Sequence, residues 1–174
     1  EAPVLEPNAM ILSTSANDRV DSRTVLLKGV RNNQFVFFTN YQSNKASQLI
    51  ENENCTLLFL WLRLERQVII RGKAKKVSNE ESENYFNSRP RESQIGAWVS
   101  EQSSRINSRE DLETKLEDYK CEFEGKPILK PKNWGGFEVT PLEIEFWQGR
   151  ESRLHDRILY SKLGSSWSYS RLQP

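Results

Sequence analysis

The chain has 174 residues, enough for one sizeable core and short for two, so a single domain over residues 1–174 is expected. Lys and Arg total 25 against 24 acidic residues, and the resulting net charge of +1 gives no global field for nucleic acid; any basic site must be local. No apolar run approaches the roughly 18 residues of a membrane span, and Glu1-Ala2-Pro3-Val4-Leu5-Glu6-Pro7 lacks the basic start and apolar centre of a leader, which points to a cytoplasmic protein off the membrane.

Taken in chain order, the first half reads as strands at Ala9 to Ser15, Arg23 to Val30, Gln34 to Asn40, Cys55 to Trp61 and Arg66 to Val77, with Asn32-Asn33 as a hairpin turn. Ser43 to Glu51 reads as a short helix capped by Ser43, with Ala46, Leu49 and Ile50 on one face. Ser78-Asn79-Glu80-Glu81 opens a helix toward Tyr85 and Phe86 that Pro90 stops, and Ser108 with Asp111 opens another ahead of Leu112, Leu116 and Tyr119. Strand character returns at Phe137 to Pro141, Glu143 to Gly149, Arg157 to Lys162 and Ser166 to Leu172. The fold class expected is mainly β with flanking helices, an antiparallel barrel or sandwich; the Gly-x-Gly-x-x-Gly loop of a doubly wound dinucleotide fold is absent. Cys55 and Cys121 lie too far apart in sequence for a metal or redox pair, and one histidine argues against a histidine-rich metal site.

The most informative stretch runs from Trp134-Gly135-Gly136-Phe137 through Ile144-Glu145-Phe146-Trp147-Gln148-Gly149 to Arg153-Leu154-His155-Asp156-Arg157. If the segment after Gly149 stays extended, Arg153, His155 and Arg157 share one face and Leu154 and Asp156 the other, giving a wall of two cations and an imidazole suited to a planar anion. The competing reading is a solvated strand edge. In Arg23-Thr24-Val25-Leu26-Leu27-Lys28 the odd separation places the end cations on opposite faces. Phe38-Thr39-Asn40 through Asn44-Lys45 brings hydroxyls, amides and a cation to a helix start, where free N–H groups favour anions. Gln67, Ile69 and Arg71 share a strand face, and the Gln67 amide can meet the edge of a heteroaromatic ring. Tyr85 and Arg89 are helical neighbours with Ser93 just beyond Pro90, a candidate phosphate clamp.

In this order, Arg23 to Lys28, Phe38 through Lys45, Arg66-Gln67-Val68, Tyr85 to Pro90, Ser93-Gln94-Ile95-Gly96-Ala97-Trp98, Gln102-Ser103, Trp134-Gly135-Gly136, Phe146 through Arg157 and the closing Arg171-Leu172-Gln173-Pro174 resemble the pyridoxamine 5′-phosphate oxidase family over nearly the whole chain. The resemblance implies an FMN-binding split β-barrel, antiparallel and Greek-key-like, working as a homodimer with flavin at the subunit interface. It implies oxidation of pyridoxamine 5′-phosphate or pyridoxine 5′-phosphate to pyridoxal 5′-phosphate, with dioxygen as acceptor, hydrogen peroxide as product and ammonia released from the amine. By position it makes Arg23, Thr24, Val25, Leu26, Leu27, Lys28, Phe38, Thr39, Asn44, Lys45, Gln67, Gln102, Ser103, Trp147 and Arg157 FMN contacts. Lys28, Tyr85, Arg89, Ser93, Arg153, Leu154 and His155 become substrate contacts, with Arg153 and His155 the catalytic pair. Two positions depart from the family pattern: Asn44 stands where an arginine usually precedes the lysine, and Phe38 where tyrosine is frequent. Related flavin oxidases of phenazine synthesis and a non-catalytic binder of flavin or pyridoxal phosphate are the alternatives.

Overall fold

A computed structural model describes residues 4–174. Among the described residues, strand-forming runs between turn signals give nine strands: β1 (Ala9–Ala16), β2 (Arg19–Leu26), β3 (Gly29–Arg31), β4 (Gln34–Asn40), β5 (Asn54–Trp61), β6 (Arg66–Lys76), β7 (Trp134–Gln148), β8 (Asp156–Leu163) and β9 (Ser166–Arg171). They form one sheet in the order β2-β1-β5-β6-β7-β4-β3, with β8 paired to β7 and β9 to β8. The path stays open, and each pairing with a stated register is antiparallel. Four helices accompany it among the described residues: α1 (Asn44–Glu51), α2 (Asn79–Asn87), α3 (Arg91–Val99) and α4 (Arg109–Glu122). None is long and apolar enough to cross a membrane.

The chain divides into two compact units. One holds the chain up to Phe37 with Gln48–Lys75 and Glu138–Pro174. Its core follows the period of two: Met10 and Leu12 on β1, Cys55, Leu57 and Phe59 on β5, and Ile70 and Ala74 on β6 are buried. Each such large side chain contributes roughly 1.5–3 kcal/mol by leaving water. Burial also pushes the Cys55 thiol up to about 12, so it packs as an inert apolar group. The run from Arg23 to Val30 is two strands rather than one. β2 starts earlier, at Arg19, because Asn17 and Asp18 both take positive φ (50° and 58°) and form the tight hairpin turn to β1. It ends at Leu26, where Leu27 and Lys28 turn their amides to Asn8 and Val36. Asn32 and Asn33 make the expected turn at φ 49° and 63°. The expected break at Pro141 does not occur either: β7 is continuous over 15 residues, and its register with β8 begins only at Glu143, so the missing proline N–H costs that ladder nothing.

The second unit holds Phe38–Ser47 and Lys76–Phe137. Ser78 and Ser108 cap α2 and α4 as expected, accepting from the amides of Glu81 (3.0 Å) and Asp111 (3.1 Å). Ser43 precedes α1, its carbonyl accepting from the Ala46 (2.9 Å) and Ser47 (3.0 Å) amides, and its hydroxyl donates to the Asn40 carbonyl at 2.7 Å. Ile50, placed on the buried face of α1 by spacing, is 59% exposed, whereas Ala46 and Leu49 are buried. Pro90 ends α2 and immediately opens α3, a helix that spacing alone did not assign, because its fixed φ of −53° suits the residue preceding a helix. Phe86, Ile95, Val99, Ile128 and Trp134 form the core here.

Candidate active site

In the second unit, three aromatic rings lie nearly parallel. Phe38 stacks on Tyr85 at 3.9 Å and on Trp134 at 5.4 Å, with Tyr85 and Trp134 6.2 Å apart. The glycines after Trp134 are what admit this packing. A Cβ on Gly136 would fall 2.8 Å from the Phe38 ring, and one on Gly135 would fall 2.3 Å from the Tyr41 hydroxyl, which donates to the Gly136 carbonyl at 2.9 Å. The Arg89 guanidinium lies 4.7 Å above the Trp134 ring, and its Nη1 is buried with no hydrogen-bond partner. Burial lowers the Arg89 pKa, the direction expected of a desolvated cation, although a guanidinium stays charged. Arg89 is not a helical neighbour of Tyr85 as spacing suggested: α2 stops at Asn87, and Arg89 sits in the α2–α3 junction. Ser93 lies in the first turn of α3. Tyr85, Arg89 and Ser93 are therefore delivered from one junction, with an unsatisfied buried donor among them.

A second cluster in the same unit surrounds the start of α1. The Lys45 ammonium, on a buried residue, reaches the hydroxyls of Thr39 (3.4 Å) and Ser43 (3.3 Å). Thr39 donates to Gln102 Oε1 at 2.9 Å, and the Asn44 amide donates to the Ser103 hydroxyl at 3.2 Å. Ser103 holds a positive φ of 75°, a conformation uncommon for serine and frequent at ligand sites. Thr39, Asn44, Lys45, Gln102 and Ser103 are thus assembled together. Their hydroxyls, amides and ammonium at a helix N-terminus form a donor set that fits a phosphate.

In the first unit, Gln67 and Trp147 line an open cavity of about 400 Å³ with Trp61, Val68, Phe146 and Ile158. Arg157 stands opposite Trp147 across the β7–β8 ladder. Aromatic and aliphatic walls with the Gln67 amide suit a flat heteroaromatic ring. Arg23 is not among the residues lining this cavity; its guanidinium donates to the Leu12 carbonyl (3.2 Å), Thr14 Oγ1 (2.6 Å) and Gln48 Oε1 (3.3 Å). Val25, Leu26 and Leu27 are half-buried, and Thr24 and Lys28 are exposed.

The extended wall expected after Gly149 is not found. Glu151–Arg153 is a short 3-10 turn, with Ser152 and Arg153 at positive φ (56° and 60°), so strand alternation resumes only at Asp156. The turn is closed by its own bonds. Gly149 donates to the Glu65 carbonyl at 2.7 Å, the Arg150 guanidinium pairs with Asp156 at 2.7 Å, and the Arg150 amide donates to His155 Nδ1 at 3.1 Å. His155 lies against the Trp147 ring at 4.7 Å, while Arg153 and Leu154 are exposed. Because Nδ1 accepts, the neutral imidazole carries its proton on Nε2 and presents a donor there. As His155 is the single histidine, a ¹⁵N spectrum of histidine-labelled protein is expected to show one neutral tautomer, protonated at Nε2; a protonated Nδ1 contradicts this geometry.

Sequence reasoning gave Ser43 only the role of a helix cap, and no role to Arg71 or Glu145. The burial of Glu145 inside an alternating strand leaves no mark in the pattern.

Comparison with known proteins covers nearly the whole chain. A family model described as pyridoxamine 5′-phosphate oxidase matches residues 1–120, and one described as pyridoxine 5′-phosphate oxidase C-terminal dimerisation region matches residues 134–174. The pyridoxine/pyridoxamine 5′-phosphate oxidase of Rubrobacter xylanophilus is 52% identical, covering 99% of this chain and 80% of that one. That of Rippkaea orientalis is 54% identical, covering 100% and 83%. Among solved structures, PhzG from Burkholderia lata 383 in complex with tetrahydrophenazine-1-carboxylic acid superposes with a TM-score of 0.92 at 28% identity, over 98% of this chain and 84% of that one. A pyridoxamine 5′-phosphate oxidase-related, FMN-binding protein from Nostoc punctiforme shares the fold with a TM-score of 0.80 at 16% identity, over 98% and 90%. By the family match and by relatives more than half identical over nearly its full length, this chain belongs to the pyridoxamine 5′-phosphate oxidase family.

Proposed function

We propose that the chain is an FMN-dependent oxidase that converts pyridoxamine 5′-phosphate and pyridoxine 5′-phosphate to pyridoxal 5′-phosphate, with dioxygen as acceptor. Hydrogen peroxide is released, and ammonia as well from the amine. The observation that carries this reading is Arg89: a half-buried arginine beside parallel aromatic rings, with its Nη1 buried and unpartnered, has the chemistry of a receptor for a phosphate on a flat ring. The names of the relatives supply the vitamer.

FMN, when bound, supplies the two-electron acceptor and passes the electrons to oxygen. Thr39, Asn44, Lys45, Gln102 and Ser103, with Phe38, are assigned to its binding. Arg23 through Lys28, Gln67, Trp147 and Arg157 are assigned to it by the family resemblance. Tyr85, Arg89 and Ser93 hold the substrate phosphate, aided by Lys28, and so fix the orientation of a small ring, which is where most of the protein's contribution lies. Arg153, Leu154 and His155 face the pyridine ring. His155 donates from Nε2 to a ring substituent, and Arg153, held in its turn by the bonds of Arg150, bears on the proton lost from the substrate's amine or hydroxyl.

A homodimer with flavin at the subunit interface accords with the dimerisation region matched at residues 134–174 and with an exposed aromatic row on β7–β9: Phe146 and Tyr160 centroids are 5.8 Å apart, Tyr160 and Tyr169 5.7 Å. The likeness to PhzG keeps a phenazine-type substrate as the second reading. Purified protein is expected to be yellow, and to form pyridoxal 5′-phosphate and peroxide over many turnovers per flavin. A protein that is colourless as purified and stays inactive once FMN is added overturns the proposal. Flavin binding with one turnover points to a carrier, and turnover of tetrahydrophenazine-1-carboxylic acid alone points to the second reading.

A further inference from the structure

Glu145 lies on β7 and is 2% exposed, the one buried acidic residue among the described residues. Its Oε1 accepts from Arg157 Nε at 2.7 Å, and its Oε2 stands 3.6 Å from Arg71 Nη2. Arg71 in turn reaches Glu143 at 3.4 Å. The register explains why these groups meet. Glu145 pairs with Leu159 and Trp147 with Arg157, so Arg157 is the diagonal neighbour of Glu145 on the same sheet face, one pleat from the cavity wall formed by Trp147.

Burying a carboxylate carries a desolvation penalty that ion pairing often only offsets, so such a group is weak evidence for a stabilising role. What the arrangement does accomplish is orientation. Arg157 is bound at two points, Nε to Glu145 and Nη1 to the Gln173 carbonyl at 3.1 Å, and neither bond uses Nη2. A long side chain with several rotatable bonds is thereby held in one rotamer before any ligand arrives, and the entropy of ordering it is spent during folding rather than at binding.

We propose that Glu145 is a positioning residue: its buried carboxylate fixes the Arg157 guanidinium in the geometry that meets the flavin. This rests on the assignment of Arg157 to FMN made above. The test is a double-mutant cycle on the full chain, with FMN dissociation constants read from quenching of flavin fluorescence and with apoprotein melting followed in parallel. Glu145→Gln is expected to weaken FMN by about tenfold in the native background and to have almost no effect on FMN in an Arg157→Ala background, since neighbours that act through each other are not additive. Should Glu145→Gln fail to fold, the cycle is run with Glu145→Asp, whose carboxylate is one methylene short of Arg157. Equal losses in both backgrounds, or no loss in the native one, overturn the positioning role while leaving the flavin reading intact. A native protein that binds no FMN sinks both.

Discussion

Arg89→Ala is expected to raise the KM for pyridoxamine 5′-phosphate by roughly 10- to 100-fold, because hydrogen bonds to a charged group contribute about 1.5–3 kcal/mol and each 1.4 kcal/mol is a factor of ten. The same substitution leaves the fold nearly untouched. The buried Nη1 has no partner, so the folded protein bears an unmet donor worth about 1–3 kcal/mol against it, and the contact with the Trp134 ring returns only about 0.5–2 kcal/mol. These terms nearly cancel, and Tm is expected to shift by no more than about 3 °C. Unphosphorylated pyridoxamine is the control: with no phosphate to grip, its poor turnover is the same in native protein and variant. Arg153→Ala differs in kind, since a group acting on the reacting end lowers kcat together with kcat/KM. Steady-state kinetics on both substrates, with a thermal melt, decide the matter. A large fall in Tm with KM unchanged makes Arg89 a structural arginine and removes the phosphate clamp.

What the sequence discloses and what it conceals divide along a physical line. Strands β1, β5 and β6 were legible because one face of each is buried, which imposes a period of two that few other structures produce, whereas β4, buried on both faces, was legible from its aromatic and β-branched run. Caps at Ser78 and Ser108 were legible because the serine hydroxyl and the amide three residues on form a local unit. The Asn17-Asp18 turn carries residues that tolerate positive φ, yet the exposed β2 beside it has no alternation to frame it. Helix α3 was hidden because Pro90 reads as a stop and its second effect, opening the next helix, needs the chain direction after it. At the site, the cluster of Thr39, Lys45, Gln102 and Ser103 joins residues some sixty positions apart, and only the resemblance to a family placed them together before the structure did. The turn at Ser152 and Arg153 is the clearest limit. Neither residue favours positive φ, and the bonds that hold it, from Arg150 to His155 and Asp156, form only once the turn exists.

Gly72→Ala is expected to be the most damaging single-methyl substitution in the β-rich unit. Gly72 sits in the middle of β6, opposite Cys55, and a Cβ there would lie 2.3 Å from the Thr140 carbonyl oxygen and 3.1 Å from Pro141 Cα. These are backbone atoms of β7, so no rotamer change relieves the clash. The strand itself must move, and the Thr140 hydroxyl is already engaged by Gln34 at 2.8 Å. Overpacking of this kind costs typically about 1–3 kcal/mol, and a displaced backbone belongs at the upper end of that range. For a chain of this length that corresponds to a fall in Tm of about 6–12 °C. Gly96→Ala supplies the opposite case. It lies within α3, where nothing stands within 4 Å of an added Cβ, so relief of backbone entropy is the main effect and a gain of about 0.5–1 kcal/mol follows. Apoprotein melts of the two variants, each changed by a single methyl group, are expected to move in opposite directions. If Gly72→Ala melts with the native protein, β7 does not approach β6 as closely at Thr140 as described.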